Sequence, residues 1–136
     1  MENDIFARDL SGELVSPNDA GYEELIADIF ATMETAQELA TVGIRDQKRV
    51  HELMGKILGK ELPESTTVLP PLYIDYGKPV TIGKGCFIQQ CCTFFGRGGI
   101  IVGKMAVLAE GDANDRPDIT VLGKLPLFNP DGTPKA

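Results

Sequence analysis

The sequence has no tryptophan, a single histidine (His51) and only three cysteines among its 136 residues. Basic residues are also scarce, because 13 lysines and arginines stand against 20 acidic residues, giving a net charge of −7. Nucleic acids and anionic membrane surfaces are bound through clustered Lys and Arg. The charge balance therefore argues against both kinds of partner.

Long apolar runs are missing as well, since none approaches the roughly 20 residues that cross a bilayer. The N-terminus is acidic where a signal peptide needs a basic region, so we expect a cytoplasmic protein. Cys86, Cys91 and Cys92 are odd in number and lack the spacing and the fourth ligand of a zinc site. We predict reduced, buried thiols and no metal centre.

Residues 1–62 have the pattern of amphipathic helices. A short helix is predicted around Ile5–Leu10, and a turn at Ser16–Asp19 offers N-cap candidates for the next one. The predicted buried face of that second helix comprises Leu25, Ile26, Ile29, Phe30 and Met33. A third helix is predicted from Asp46 to Gly59, with a face of Val50, Leu53, Met54, Ile57 and Leu58.

From Leu72 the chain changes to short apolar runs separated by glycine. Large apolar residues recur every six positions at Ile82, Ile88, Phe94 and Ile100, and the small residues Cys86 and Cys92 lie between them. A six-residue period is typical of a coil with flat sides, in which each side is a short strand with one bulky residue pointing inward. Residues 80–103 are therefore predicted to form stacked β-helix coils.

A longer period of twenty residues supports the same fold. The segment Val80–Lys84 recurs as Ile100–Lys104, and a weaker third copy is predicted at Thr120–Lys124. Twenty residues correspond to a coil of eighteen with a two-residue bulge, for which Gly96–Gly99 is the natural place. Ile88, Leu108 and Phe128 keep the same register.

Prolines and charge divide the chain into three predicted regions. Residues 1–62 form a helical cap, and residues 63–104 form the hexapeptide coils. Residues 105–136 combine a degenerate third coil with an irregular, proline-rich tail, because proline removes a donor from a strand ladder. The fold class predicted is mainly β, a short parallel β-helix with an N-terminal helical cap.

The Asp75-Tyr76-Gly77 motif, followed by VTIGKG and CFIQQC, resembles the maltose and galactoside O-acetyltransferases. The resemblance covers about residues 5–104 and fades after Lys104, as if the family's later coils were missing. It implies a left-handed β-helix assembled as a homotrimer, with acetyl-coenzyme A as co-substrate in a groove between subunits. The reaction that it implies is acetyl transfer from acetyl-coenzyme A to a sugar hydroxyl.

The resemblance also implies roles for individual residues. Asp75, Gln89 and Arg97 stand where the family binds its sugar acceptor, although Arg97 replaces an acidic residue. For each of them a structural alternative remains open: Asp75 as a turn cap, Gln89 as an exposed strand residue and Arg97 as a loop residue.

The general base of the family does not carry over to this chain. The family's histidine would fall in the segment Glu110–Pro117, which has none, and His51 lies on the predicted third helix. No catalytic residue is therefore assigned, and acetyl transfer is expected to be impaired. The alternative function is a non-catalytic, trimerising β-helix module. A carbonic anhydrase on the same fold is excluded, because it needs three histidine ligands.

Overall fold

A computed structural model describes residues 4–108 and the backbone of residues 119–121. Three helices come first: α1 (Ile5–Ser11), α2 (Tyr22–Leu39) and α3 (Gln47–Leu58). The prediction for α3 is confirmed. The Asp46 carboxylate accepts a hydrogen bond from the Arg49 amide at its start, and Gly59 ends the helix with a left-handed φ of 70°.

The predicted buried face of α2 is only half correct. Leu25 and Ile29 are buried, but Phe30 is 58% exposed and Met33 is 37% exposed. Further along, the helix buries the small side chains of Thr32, Thr35 and Ala36 together with Leu39. The N-cap is also different from the prediction, since Gly21 precedes α2 without a side-chain cap.

Within the described residues, eight short strands follow the helices, and they are arranged in three small sheets. The strands are β1 (Thr67–Val68), β2 (Tyr73–Ile74), β3 (Val80–Ile82), β4 (Phe87–Ile88), β5 (Thr93–Phe94), β6 (Ile100–Val102), β7 (Val107–Leu108) and β8 (Ile119–Val121). Parallel pairs join β1 to β4 and β7, β2 to β5, and β3 to β6. In each pair the partners are twenty residues apart, as in Thr67↔Phe87 and Phe87↔Val107. These parallel sheets fit the predicted β-helix.

The predicted inward positions are confirmed. Ile82, Ile88, Phe94 and Ile100 are each no more than 5% exposed, and Cys86 and Cys92 are also buried. The register Ile88↔Leu108 is found as expected, whereas Phe128 lies outside the described residues. The parallel strands of the third sheet are three residues long, and each has two inward residues, such as Val80 and Ile82 in β3. These longer strands lie next to Gly96–Gly99, where the two extra residues of a coil are predicted.

The weaker third copy of the repeat differs from its prediction. β8 pairs with β6 in the antiparallel direction, so Ile100 lies opposite Val121 and Val102 lies opposite Ile119. A further coil would place Thr120 opposite Ile100 in parallel. The parallel part of the third sheet therefore ends at β6, and β8 adds an antiparallel strand to it. Leu122–Lys124 lie outside the described residues.

The helices and coils share their main core. One cluster of buried side chains joins Leu53 and Met54 of α3 to Val68, Ile88 and Leu108 of the coils. A smaller cluster joins Ile5 of α1 and Leu25 of α2 to Tyr76, which follows β2. Among the described residues, none of the helices is long and apolar enough to cross a membrane.

Candidate functional site

Asp75 directly follows β2, at a corner where two successive coils meet. Its carboxylate oxygen Oδ1 accepts hydrogen bonds from the backbone amides of Tyr76 and Gly96, both at 2.7 Å. Gly96 follows β5, so this single oxygen joins the corners of two coils. A side chain at Gly96 would place its Cβ only 2.1 Å from the Tyr76 carbonyl oxygen, which explains the need for glycine there.

Tyr76 and Gly77 attach the same corner to the helices. The Tyr76 hydroxyl donates to the Asp28 carboxylate at 3.1 Å, and the Lys78 ammonium contacts the same carboxylate oxygen at 2.8 Å. The hydrogen bond from Lys78 is the main cause that lowers the pKa of Asp28 below its usual value. Burial, followed by the hydrogen bond to Asp28, raises the pKa of Tyr76 well above its usual value.

Gly77 is a position of close backbone approach. A Cβ placed there would lie 2.2 Å from the Ile57 carbonyl oxygen near the end of α3. The Gly77 amide also donates to the Thr32 hydroxyl of α2 at 3.4 Å. The Asp75-Tyr76-Gly77 motif therefore has a structural task, because Asp75 joins two coils while Tyr76 and Gly77 hold the helices against them.

Arg97 follows β5 and points to α1. Its guanidinium donates three hydrogen bonds to the Asp9 carboxylate, at 2.6, 3.1 and 3.2 Å. Asp9 is 3% exposed, whereas the Arg97 side chain is 36% exposed. The hydrogen bonding to Asp9 is the main cause that raises the pKa of Arg97 above its ordinary value, and the charge of Asp75 adds to it.

The structure brings together two of the three predicted acceptor residues. Asp75 and Arg97 lie at the corner beyond β2 and β5, in the second sheet. Gln89 is exposed and follows β4 in the first sheet, where its backbone amide donates to the Leu108 carbonyl oxygen. The acceptor-binding roles of Asp75, Gln89 and Arg97 stay predictions.

A cleft of about 390 Å³ opens beside Asp75, between α2 and the second sheet. Its walls are mainly apolar and come from Met33, Ala36, Gln37, Ala40, Leu72, Tyr73, Ile74, Asp75, Thr93, Phe94 and Phe95. Tyr73 is 53% exposed and Phe95 is 67% exposed. The volume lies in the range of small-molecule sites.

His51 is not part of this cleft. Its Nδ1 lies 2.8 Å from the Gln47 carbonyl oxygen and its Nε2 lies 3.3 Å from the Pro63 carbonyl oxygen. The ring lines a separate, more charged cleft of about 790 Å³ beside α3, together with Lys48 and Glu64. Each ring nitrogen thus lies beside a backbone carbonyl oxygen, and in either neutral tautomer the ring N–H can donate to one of them. Such a hydrogen bond fixes the ring against the backbone of the fold.

The coil register and these corners can be compared with known proteins. A hexapeptide-repeat-containing acetyltransferase from Vibrio cholerae O1 biovar eltor, solved in complex with acetyl coenzyme A, superposes with a TM-score of 0.52. The aligned region covers 74% of this chain at 20% identity. The chain has the fold of a hexapeptide-repeat acetyltransferase. It corresponds to 55% of that protein's length, and neither a family model nor a curated protein matches the sequence.

Two features of the site were missed by sequence reasoning. Phe95 lines the cleft, and strand alternation could have revealed it, because its neighbour Phe94 points inward. Asp9 had no such signal, since it lies 88 residues from Arg97. Within the described part of the chain, no group of three His, Cys, Asp or Glu side chains is placed to hold a metal ion.

Proposed function

We propose that this chain is a hexapeptide-repeat acyltransferase-like protein in which acetyl transfer is impaired. The reaction in question is transfer of an acetyl group from acetyl coenzyme A to the hydroxyl of a small sugar. The fold supports the reaction class, because a protein with the same fold was solved with acetyl coenzyme A. On this proposal the coils are left-handed and three copies assemble around the site.

The proposed impairment rests on the polar groups near the cleft and on the position of the histidine. Acyl transfer to a hydroxyl needs a group that removes the hydroxyl proton. The chain's single histidine lies between two backbone carbonyl oxygens in another cleft. In the lining of the cleft, one oxygen of Asp75 accepts two backbone hydrogen bonds, and Arg97, at the same corner but outside the lining, is bound to Asp9.

The direct test is release of the coenzyme A thiol from acetyl coenzyme A by the full chain. Galactosides, maltose and glucose serve as acceptors, and thiol release without an acceptor gives the background. We expect no release above this background with any of the three acceptors. Clear acceptor-dependent turnover contradicts the impairment, while its absence together with coenzyme A binding supports an acyltransferase fold without catalysis.

A non-catalytic, trimerising module is the second candidate function. It is favoured by exposed apolar side chains of the first and third sheets and of the turn between β6 and β7, none of which lines the cleft: Phe87, Ile101, Met105 and Val107. Sedimentation equilibrium should then give a trimer, and calorimetry should detect no binding of coenzyme A. A monomer that binds coenzyme A tightly rejects this function.

A further inference from the structure

The cleft beside Asp75 has a surface that suits an apolar ligand better than a sugar. Its walls are built mainly from carbon-rich side chains, among them Met33, Ala36, Tyr73 and Phe95. Burying a hydroxyl without a hydrogen bond costs about 1–3 kcal/mol. A sugar has several hydroxyls and would leave most of them facing apolar walls, whereas an aromatic or alkyl group would gain from burial.

Asp75 is the charged group in the lining of this cleft. Its Oδ1 is fixed by the amides of Tyr76 and Gly96, and this fixes the orientation of the carboxylate. Its Oδ2 accepts no hydrogen bond from the described residues, so it is free to accept one from a ligand. A carboxylate held in this way is already oriented and loses little freedom on binding.

The three formal charges at the corner of Asp75 add up to −1. Asp9 and Asp75 carry two negative charges, and the one positive charge of Arg97 is bound by three hydrogen bonds to Asp9. The adjacent ion pair of Asp28 and Lys78 adds no net charge. Asp75 takes part in no ion pair of the described residues, and the charge of Arg97 acts on it without a direct hydrogen bond.

We propose that this cleft binds an organic monocation, an amine with an aromatic or alkyl body. The apolar body lies against α2 and the second sheet, and the ammonium donates to Asp75 Oδ2. The exposed rings of Tyr73 and Phe95 stand beside the cleft and add cation–π attraction. This inference concerns binding alone and differs from the proposed function in one respect: it gives this cleft an amine rather than a sugar, whether or not acetyl transfer occurs.

The test uses the full chain and two probes of matched size. 2-Phenylethylamine carries the positive charge, and 2-phenylethanol replaces it with a neutral hydroxyl. Titration followed by NMR should give a dissociation constant about tenfold lower for the amine, because a hydrogen bond to a charged group is the stronger one. Methyl galactoside should bind more weakly than either probe.

Variants separate the charge of Asp75 from its structural task. Asp75→Asn keeps an Oδ1 that accepts from both amides but removes the charge, so it should bind the amine and the alcohol equally. Phe95→Ala should weaken both probes, and Glu64→Gln, in the other cleft, should change neither. Thermal melts of each variant identify any loss of binding that comes from unfolding.

Three results overturn the proposal: equal affinities of the wild-type chain for amine and alcohol, an unchanged amine preference in Asp75→Asn, or tighter binding of the galactoside. A fourth result that overturns it is an oligomer that covers the cleft, which sedimentation at the same protein concentration detects. If a second copy covers the cleft, neither probe binds and the chain is oligomeric, which also refutes the proposal. Thiol release from acetyl coenzyme A is measured separately, so its outcome does not affect this test.

Discussion

Replacing Arg97 with methionine removes the partner of a buried carboxylate while keeping an unbranched, apolar side chain. Asp9 is 3% exposed, and its three hydrogen bonds to Arg97 hold α1 against the corner after β5. In Arg97→Met the carboxylate would remain buried without a compensating charge. We therefore expect a large loss of stability from a single change at a half-exposed residue.

The magnitude follows from the exposure of the two partners. Removing one partner of a fully buried ion pair costs about 3–5 kcal/mol, because the other charge is left uncompensated. The Arg97 side chain is 36% exposed, so solvent screening places the cost near or below the lower end, at about 2–3 kcal/mol. For a chain of this length, that corresponds to a fall in Tm of about 6–15 °C.

Urea unfolding followed by circular dichroism measures this loss of stability. A double-mutant cycle then shows how much of it comes from the interaction of Arg97 with Asp9. Asp9→Leu combined with Arg97→Met removes both charges, so the pair of substitutions should be much less destabilising than the sum of the single ones. Arg45→Met changes an exposed arginine and should shift stability by less than about 0.5 kcal/mol. An effect of Arg97→Met no larger than that of Arg45→Met would refute the reasoning.

Three further predictions follow from the corners and the last strand. Gly77→Ala should destabilise the fold by about 1–3 kcal/mol or more in urea, since its Cβ meets backbone, while Gly43→Ala, with open space around it, should be near neutral. The lowered pKa of Asp28 means that its contact with Lys78 stabilises the fold above the ordinary carboxyl pKa. The Tm deficit of Asp28→Asn should therefore be present at pH 7 and close as the pH falls below about 3.9; a constant deficit contradicts this. Thr120→Pro should disrupt β8 and expose the edge of β6, so light scattering should rise with protein concentration; unchanged scattering means that β8 does not protect this edge.

The coils could be predicted from sequence because their signals are local. A strand in a β-helix alternates inward and outward residues, and each side has nearly the same length, so Ile82, Ile88 and Phe94 mark successive sides. The helix α3 was predictable for the same reason, since its cap at Asp46 and its end at Gly59 lie within the segment itself.

The face of α2 and the candidate site could not be predicted in this way. Phe30 and Met33 have the spacing of a buried face, yet the partners of α2 contact its small residues, so both side chains remain exposed. Likewise, the direction in which β8 pairs with β6 could not be predicted. A segment that resembles a parallel copy in sequence can pair antiparallel, because the backbone groups of an edge accept either direction.

The sequence by itself determined the period of six and the coil of twenty, because both recur as repeats along the chain. Only the tertiary structure decided that Arg97 binds Asp9 and that Asp75 joins two coils beside an apolar cleft. These contacts join residues 88 and 21 positions apart, and such pairings are set by how helices and coils pack rather than by any local pattern.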